Sequence, residues 1–154
     1  MLIFASLLQN LLFTPSRNGK IRLLVDQFRT VPDPERGLAL AAITRELDIP
    51  SVKPALLREL VSGRVDEELF RLSYDYVGDL AETIALIWPV PGGEREGRND
   101  APTLSEVVDE LLAASRREGP ALVEGWLDRL DASGRYALIK LVTGGFRIGV
   151  SARL

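Results

Sequence analysis

The sequence contains no cysteine and no histidine among its 154 residues. The absence of cysteine excludes disulfides, thiolate nucleophiles and cysteine-containing metal sites. The absence of histidine excludes Ser-His-Asp and Cys-His catalysis and removes the commonest zinc ligand. Catalysis by this chain alone would therefore depend on carboxylates, lysine, arginine, tyrosine or backbone groups.

Long apolar runs are also lacking, since no window holds the roughly 18 uninterrupted apolar residues of a membrane-spanning helix. The segment 1–13 is apolar enough to resemble a signal peptide, but it has no basic start, and Gln9 and Asn10 interrupt it. Leucines at positions 7, 8, 11 and 12 favour an amphipathic first helix instead. A hydrophobic content of 46% and a net charge of −3 are typical of one globular domain, predicted over 1–154.

Apolar residues recur at spacings of three and four, whereas the strict alternation of strands is hard to find. We therefore predict an all-α, compact domain of about eight to ten helices. Predicted N-caps are Ser16 or Thr14, Asp66, Thr103 and Ser133. The predicted helices end near 13, 28, 47, 62, 88, 117, 130 and 143, with a break at Gly78 and with Pro120 opening the one that ends near 130. The proline- and glycine-rich stretch 89–102 is predicted to be a flexible internal loop.

Positive charge is concentrated in two stretches of this acidic chain. Residues 14–29 carry a local charge of +3, and residues 132–154 contain four basic residues and no acidic one. The basic residues are Arg17, Lys20, Arg22 and Arg29 in the first stretch and Arg135, Lys140, Arg147 and Arg153 in the second. Such patches suit a nucleic-acid footprint, but charge patches of this kind more often are ordinary surface, paired with acids such as Glu106, Asp109 and Glu110.

Three glycines lie in the second basic stretch, at positions 144, 145 and 149. Glycine lets a backbone approach a phosphate closely and direct N–H groups at it. The polar side chains that could add donors there are Thr143, Arg147 and Ser151. A helix cap followed by a turn would explain Gly144 or Gly145 but not all three glycines.

Three carboxylates, Asp75, Asp79 and Glu82, stand at i, i+4 and i+7. They would share one face and could hold Mg²⁺ if a helix continued through Gly78. In the alternative, Asp79 caps a new helix whose N-terminal N–H groups suit a phosphate.

Segments 73–83 and 140–151 contain the strings Gly-Asp-Leu-Ala-Glu and Gly-Phe-Arg-Ile-Gly. Together they resemble the N-terminal DNA-binding domain of ATP-dependent DNA ligases, and segment 14–22 resembles the bacterial branch of that family. The resemblance implies an all-helical domain that grips nicked double-stranded DNA through phosphates and sugars, without sequence specificity. It also implies DNA contacts from Arg17, Lys20, Gly78, Asp79, Lys140, Thr143, Gly144, Gly145, Arg147, Gly149 and Ser151.

The same resemblance implies that a parent ligase would supply a catalytic core using ATP and Mg²⁺. None of Lys20, Lys53 and Lys140 stands in the Lys-x-Asp-Gly motif that becomes adenylated. We therefore expect an incomplete N-terminal part of a ligase, monomeric and inactive alone, with no membrane association. The expected location is the bacterial cytoplasm, at the nucleoid.

Two other functions remain open on the sequence. A helical protein–protein interaction module could dock a partner on Phe146, Ile148, Val150 and Leu154, which dominate an apolar tail. A stand-alone enzyme could use Asp75, Asp79 and Glu82 with a metal ion.

Overall fold

The computed structural model describes residues 1–49, 52–90, 100–146 and 148–153. These residues form nine α-helices and no β-strand, which confirms the predicted all-α class. The helices are α1 (Leu2–Phe13), α2 (Arg17–Thr30), α3 (Glu35–Ile43), α4 (Pro54–Ser62), α5 (Glu67–Val77), α6 (Leu80–Ile87), α7 (Leu104–Ala113), α8 (Glu118–Leu127) and α9 (Ala132–Thr143). Most of the predicted loop 89–102 lies outside the described residues.

Local capping explains where several helices begin. The side chains of Ser16, Asp66 and Thr103 each accept a hydrogen bond from the backbone N–H three residues later. The Glu106 carboxylate also accepts from the Thr103 N–H at 2.9 Å, which completes a capping box on α7. These three predicted caps are confirmed.

Several boundaries differ from the prediction. The α7 helix ends at Ala113 rather than near 117, because Ala114 is extended with a ψ of 144°, and α8 ends at Leu127 rather than near 130. The third helix ends at Ile43 rather than near 47, because Arg45 leaves the helical region with a φ of 63°. The α8 helix begins at Glu118 rather than at Pro120, since Glu118 and Ser115 exchange side-chain and backbone hydrogen bonds ahead of it. The cap of α9 is Asp131, which accepts from the Gly134 N–H at 2.8 Å, and not Ser133.

The α9 helix is the centre of the fold and packs against α1, α6 and α8. Its apolar residues are buried on every side, as expected of a helix enclosed by others. Other helix pairs that pack together are α1–α2, α3–α7, α4–α8 and α5–α6. None of the helices in the described ranges is both long enough and apolar enough to cross a membrane.

Arg135 is part of this core, although the sequence analysis counted it in a basic patch. It is 2% exposed, and its guanidinium donates to the carbonyls of Ala85 and Leu130 at 3.0 and 2.8 Å. A buried cation requires such partners, because desolvation otherwise costs several kcal/mol. The second basic patch is therefore smaller at the surface than its sequence indicates.

Candidate nucleic-acid interface

Two glycine turns end α5 and α9 in the same way. Gly78 and Gly144 adopt φ values of 77° and 68°, in the left-handed region. Their N–H groups bond to the carbonyls of Tyr74 and Lys140 at 2.8 and 2.9 Å. Glycine suits both positions because it has no Cβ to clash in this conformation.

Asp79 follows Gly78 in the turn between α5 and α6, here called the first turn, and connects it with the end of α9. One carboxylate oxygen accepts from the Glu82 N–H at 2.8 Å and so caps α6. The other accepts from Lys140 Nζ at 2.7 Å, one turn before α9 ends. This contact forms because α6 runs antiparallel to α9. The start of α6 therefore lies beside the end of α9, and Ala85 near the end of α6 lies beside Arg135 near the start of α9. The two segments that the sequence analysis singled out are therefore neighbours.

The Asp79–Lys140 ion pair is half-shielded from water. The Lys140 side chain is 11% exposed and the Asp79 side chain 36%. Burial raises the pKa of Asp79, but hydrogen bonds from Lys140 and from backbone N–H groups outweigh it, and the pKa lies below its ordinary value of 3.8. The carboxylate thus stays charged at neutral pH and balances the ammonium, while the predicted contact of either residue with DNA stays a prediction.

The described residues of the segment 144–149, namely 144–146, 148 and 149, are here called the second turn, and cations from distant parts of the chain hold them. Lys20 Nζ on α2 donates to the Ile148 carbonyl at 2.6 Å, and Arg45 Nη2 donates to the Phe146 carbonyl at 2.9 Å. Gly149, with a φ of 68°, lies against Lys20 so closely that a Cβ there would be 2.5 Å from Nζ. The second turn therefore has two cations at its backbone.

The apolar side chains of the second turn point into the core. Phe146 and Ile148 are each 5% exposed, and the Phe146 ring meets Phe4 edge-to-face with centroids 6.0 Å apart. Val150 is partly buried and packs against the same core. Phe146 and Ile148 are therefore buried within the chain itself, with Phe4 of α1 against Phe146, and do not form the exposed docking surface that the alternative expected. Leu154 lies outside the described residues.

The other predicted DNA-binding residues lie around these turns. Thr143 Oγ donates to the Ile139 carbonyl within α9 at 2.7 Å. Ser151 is exposed. Arg17 is exposed in the first turn of α2, one helical turn before Lys20. A Cβ at Gly145 would lie 3.9 Å from the Lys140 side chain, which is ordinary contact distance, and Arg147 lies outside the described residues.

The carboxylates do not form the metal site that one continuous helix would have produced. The α5 helix ends at Val77, so Asp75 lies on α5, whereas Asp79 caps α6. Asp75 instead faces Arg71 at 3.7 Å. Among the described residues, no group of three or more aspartates or glutamates is arranged to hold a metal ion.

The exposed cations are not neutralised by the acids that the sequence suggested. Across the described ranges, no ion pair joins either basic stretch to Glu106, Asp109 or Glu110. Glu106 is used in the capping box of α7. Arg17 on α2, Arg45 after α3 and Arg153 after the second turn are exposed.

Arg45 is the residue at this site that the sequence analysis missed. It fell inside a predicted helix, and no glycine or proline beside it signals a helix end. Its contact with Phe146 spans 101 positions and has no local signature.

The arrangement offers cations, backbone groups and hydroxyls, which are the groups that bind phosphate. No protein-family model matches this chain, and none of the curated proteins compared with it matches either.

Proposed function

We propose that this chain binds nicked double-stranded DNA without sequence specificity, as the N-terminal module of an ATP-dependent DNA ligase of the bacterial branch. One observation carries the proposal. Asp79 and Lys140 belong to the two segments that resemble the ligase domain and lie 61 positions apart in the chain, yet a bond of 2.7 Å joins them. Such neighbours can face one stretch of DNA backbone together.

The distribution of charge supports a phosphate ligand. The chain has a net charge of −3, yet Lys20 and Arg45 both donate hydrogen bonds to backbone carbonyls of the second turn. Arg17, one helical turn before Lys20 on α2, is exposed, and so is Arg153, which follows the second turn in the chain. Cations grouped on one part of an acidic protein attract a polyanion locally. Contacts from such groups position a protein on DNA without reading its bases.

The proposal implies partners beyond this chain. A parent ligase would join the module to its catalytic core, which would carry out the adenylation and sealing with ATP and Mg²⁺. The substrate would be a nick in chromosomal DNA, so the protein would act at the nucleoid in the bacterial cytoplasm. The module contributes binding and positioning, as a monomer, with the chemistry assigned to the core.

Fluorescence anisotropy with a labelled nicked duplex tests the proposal, with intact duplex and single strand alongside at about 50 and 200 mM salt. We expect affinity for duplex to fall steeply with salt, because released counterions drive phosphate binding. The double variant Arg17→Glu/Arg153→Glu should weaken binding by roughly tenfold or more and lower the log–log salt slope by about one per lost contact.

Arg116→Glu/Arg117→Glu is the matched control, since both arginines are exposed in the turn between α7 and α8, outside both basic stretches. It changes the net charge by the same amount as the double variant and should leave the affinity nearly unchanged. Equal weakening by the control, or no salt-dependent binding by the folded wild-type chain, would contradict the proposal.

A further inference from the structure

Arg45 adopts a backbone conformation that usually belongs to glycine. It follows the end of α3 with a φ of 63°, and it is the one non-glycine residue with positive φ in the described part of the chain. The Glu46 N–H bonds to the Ala41 carbonyl at 2.9 Å, and the Arg45 N–H bonds to the Ala42 carbonyl at 3.2 Å. This pair of bonds is a Schellman motif, in which glycine is preferred at the position that Arg45 occupies.

A side chain at a position that favours glycine indicates that the side chain has a use elsewhere. Arg45 reaches across to the second turn and donates to the Phe146 carbonyl, while Lys20 donates to the carbonyl two residues later. These two carbonyls are separated by at most about 7 Å of extended chain. Two elements that are distant in sequence therefore bind the same short backbone segment.

The opposite side of that segment is also fixed. The Phe146 ring contacts Phe4 of α1, and the Ile148 side chain is buried. The backbone of the second turn is thus held between core side chains and the two cations. Because Arg45 remains exposed, its guanidinium adds positive charge where it orients the backbone.

We infer that Arg45 is a positioning residue, which with Lys20 holds the second turn in the conformation that meets the DNA backbone. The inference rests on the proposed function, since the turn needs a ligand to position against. Arg45 is thus expected to affect DNA affinity indirectly, because it keeps the second turn and the residues after it ordered.

The test uses Arg45→Gly, which removes the side chain but installs the residue type that the backbone prefers. We expect the relief of left-handed strain to offset the lost hydrogen bond to Phe146, so that the melting temperature stays within a few degrees of wild type. Amide hydrogen exchange in peptides covering 144–153, measured without DNA, should become faster. Affinity for the nicked duplex should fall by about tenfold, the usual effect of one charge-assisted hydrogen bond.

Two further variants sharpen the result. Arg45→Lys keeps a cationic donor and should restore slow exchange and most of the affinity. Arg116→Gly removes an exposed arginine from a turn elsewhere and should change neither measurement.

Unchanged exchange in Arg45→Gly would overturn the inference, because a mere loss of charge lowers affinity without loosening the turn. Faster exchange with unchanged DNA affinity would overturn it as well. If the wild-type chain binds no duplex, the proposed function fails and the functional role of Arg45 fails with it. Failure of the inference alone is distinguishable, because the wild-type chain then still binds the nicked duplex.

Discussion

The two glycine turns begin alike and are completed by different means. After Gly78, the hydrogen bonds that start α6 close within five residues. The Asp79 carboxylate accepts from the Glu82 N–H, and Thr83 Oγ donates to the Asp79 carbonyl at 2.6 Å. After Gly144, the carbonyls of the second turn accept from Lys20 and Arg45, which lie more than one hundred positions away. The first turn can form with its own helices, whereas the second needs the assembled domain.

This difference matters for function because the second turn is the one with cations at its backbone. Contacts between distant residues form only after the chain has paid the entropy of closing a long loop. The Asp79–Lys140 bond then links the first turn, which forms locally, to the end of α9, from which the second turn begins. Substitutions in the first turn should therefore change stability through local hydrogen bonds, and substitutions in the second turn should also change it through contacts with distant residues.

The largest effect is expected from Asp79→Ala, which removes the coupling. The variant loses the N-cap of α6 and leaves the Lys140 ammonium unpaired at 11% side-chain exposure. We expect a loss of about 2–3 kcal/mol in the free energy of unfolding, of which the cap contributes about 1 kcal/mol. Urea denaturation followed by tryptophan fluorescence measures it.

Asp66→Ala is the matched control, because Asp66 caps α5 with the same geometry and has no cation on it in the described structure. It should cost only the capping part, about 1 kcal/mol. Equal losses in the two variants would show that the bond to Lys140 contributes nothing.

An intermediate effect distinguishes the two turns directly. Alanine at Gly78 introduces left-handed strain alone, since no atom lies within 4 Å of the new Cβ, and should cost about 1 kcal/mol. Alanine at Gly149 adds the displacement of the Lys20 ammonium from the Ile148 carbonyl and should cost about 2 kcal/mol. Denaturation midpoints compare them, and a Gly78 variant that is the less stable of the two would reverse the comparison.

The smallest expected effect is on how the free energy of unfolding changes in acid. Because the pKa of Asp79 is lowered in the folded state, its stabilisation is complete above the ordinary value of 3.8 and is lost as pH falls through the folded value. Asp79→Asn retains a capping side chain but cannot titrate. The unfolding free energy of wild type should therefore fall more steeply between about pH 5 and pH 2 than that of the variant.

The difference in acid should stay below about 1 kcal/mol, because the Asp79 side chain is 36% exposed and water screens the pair. Denaturation curves at several pH values provide the comparison. Superimposable pH profiles for the two proteins would show that the ion pair does not stabilise the fold.

Helix starts were largely predictable from the sequence. Ser16, Asp66 and Thr103 cap the helices that they were predicted to cap, because each needs only a backbone N–H three residues later. Asp131 and Ser133 are two residues apart and both are good caps, so their choice was not decided locally. The end of α3 was missed because arginine rarely adopts the conformation that ends it.

The candidate site was predictable only in part. The sequence named Lys20, Asp79 and Lys140 separately, and the structure shows what each of them contacts. It did not indicate Arg45, whose partner is 101 positions away. It also presented Phe146 as a surface residue, since nothing in a short tail reveals that α1 will cover it.

By itself, the sequence determined the all-α class, most helix starts and the glycine-ended helices α5 and α9, because each of these depends on hydrogen bonds that close within about four residues. Only the tertiary structure decided which charges face water. Arg135 became internal and Lys140 paired because α6 lies antiparallel against α9, whereas Arg17 stayed exposed. A side chain's burial depends on what the rest of the chain packs against it, and a charge survives burial only where that packing supplies partners.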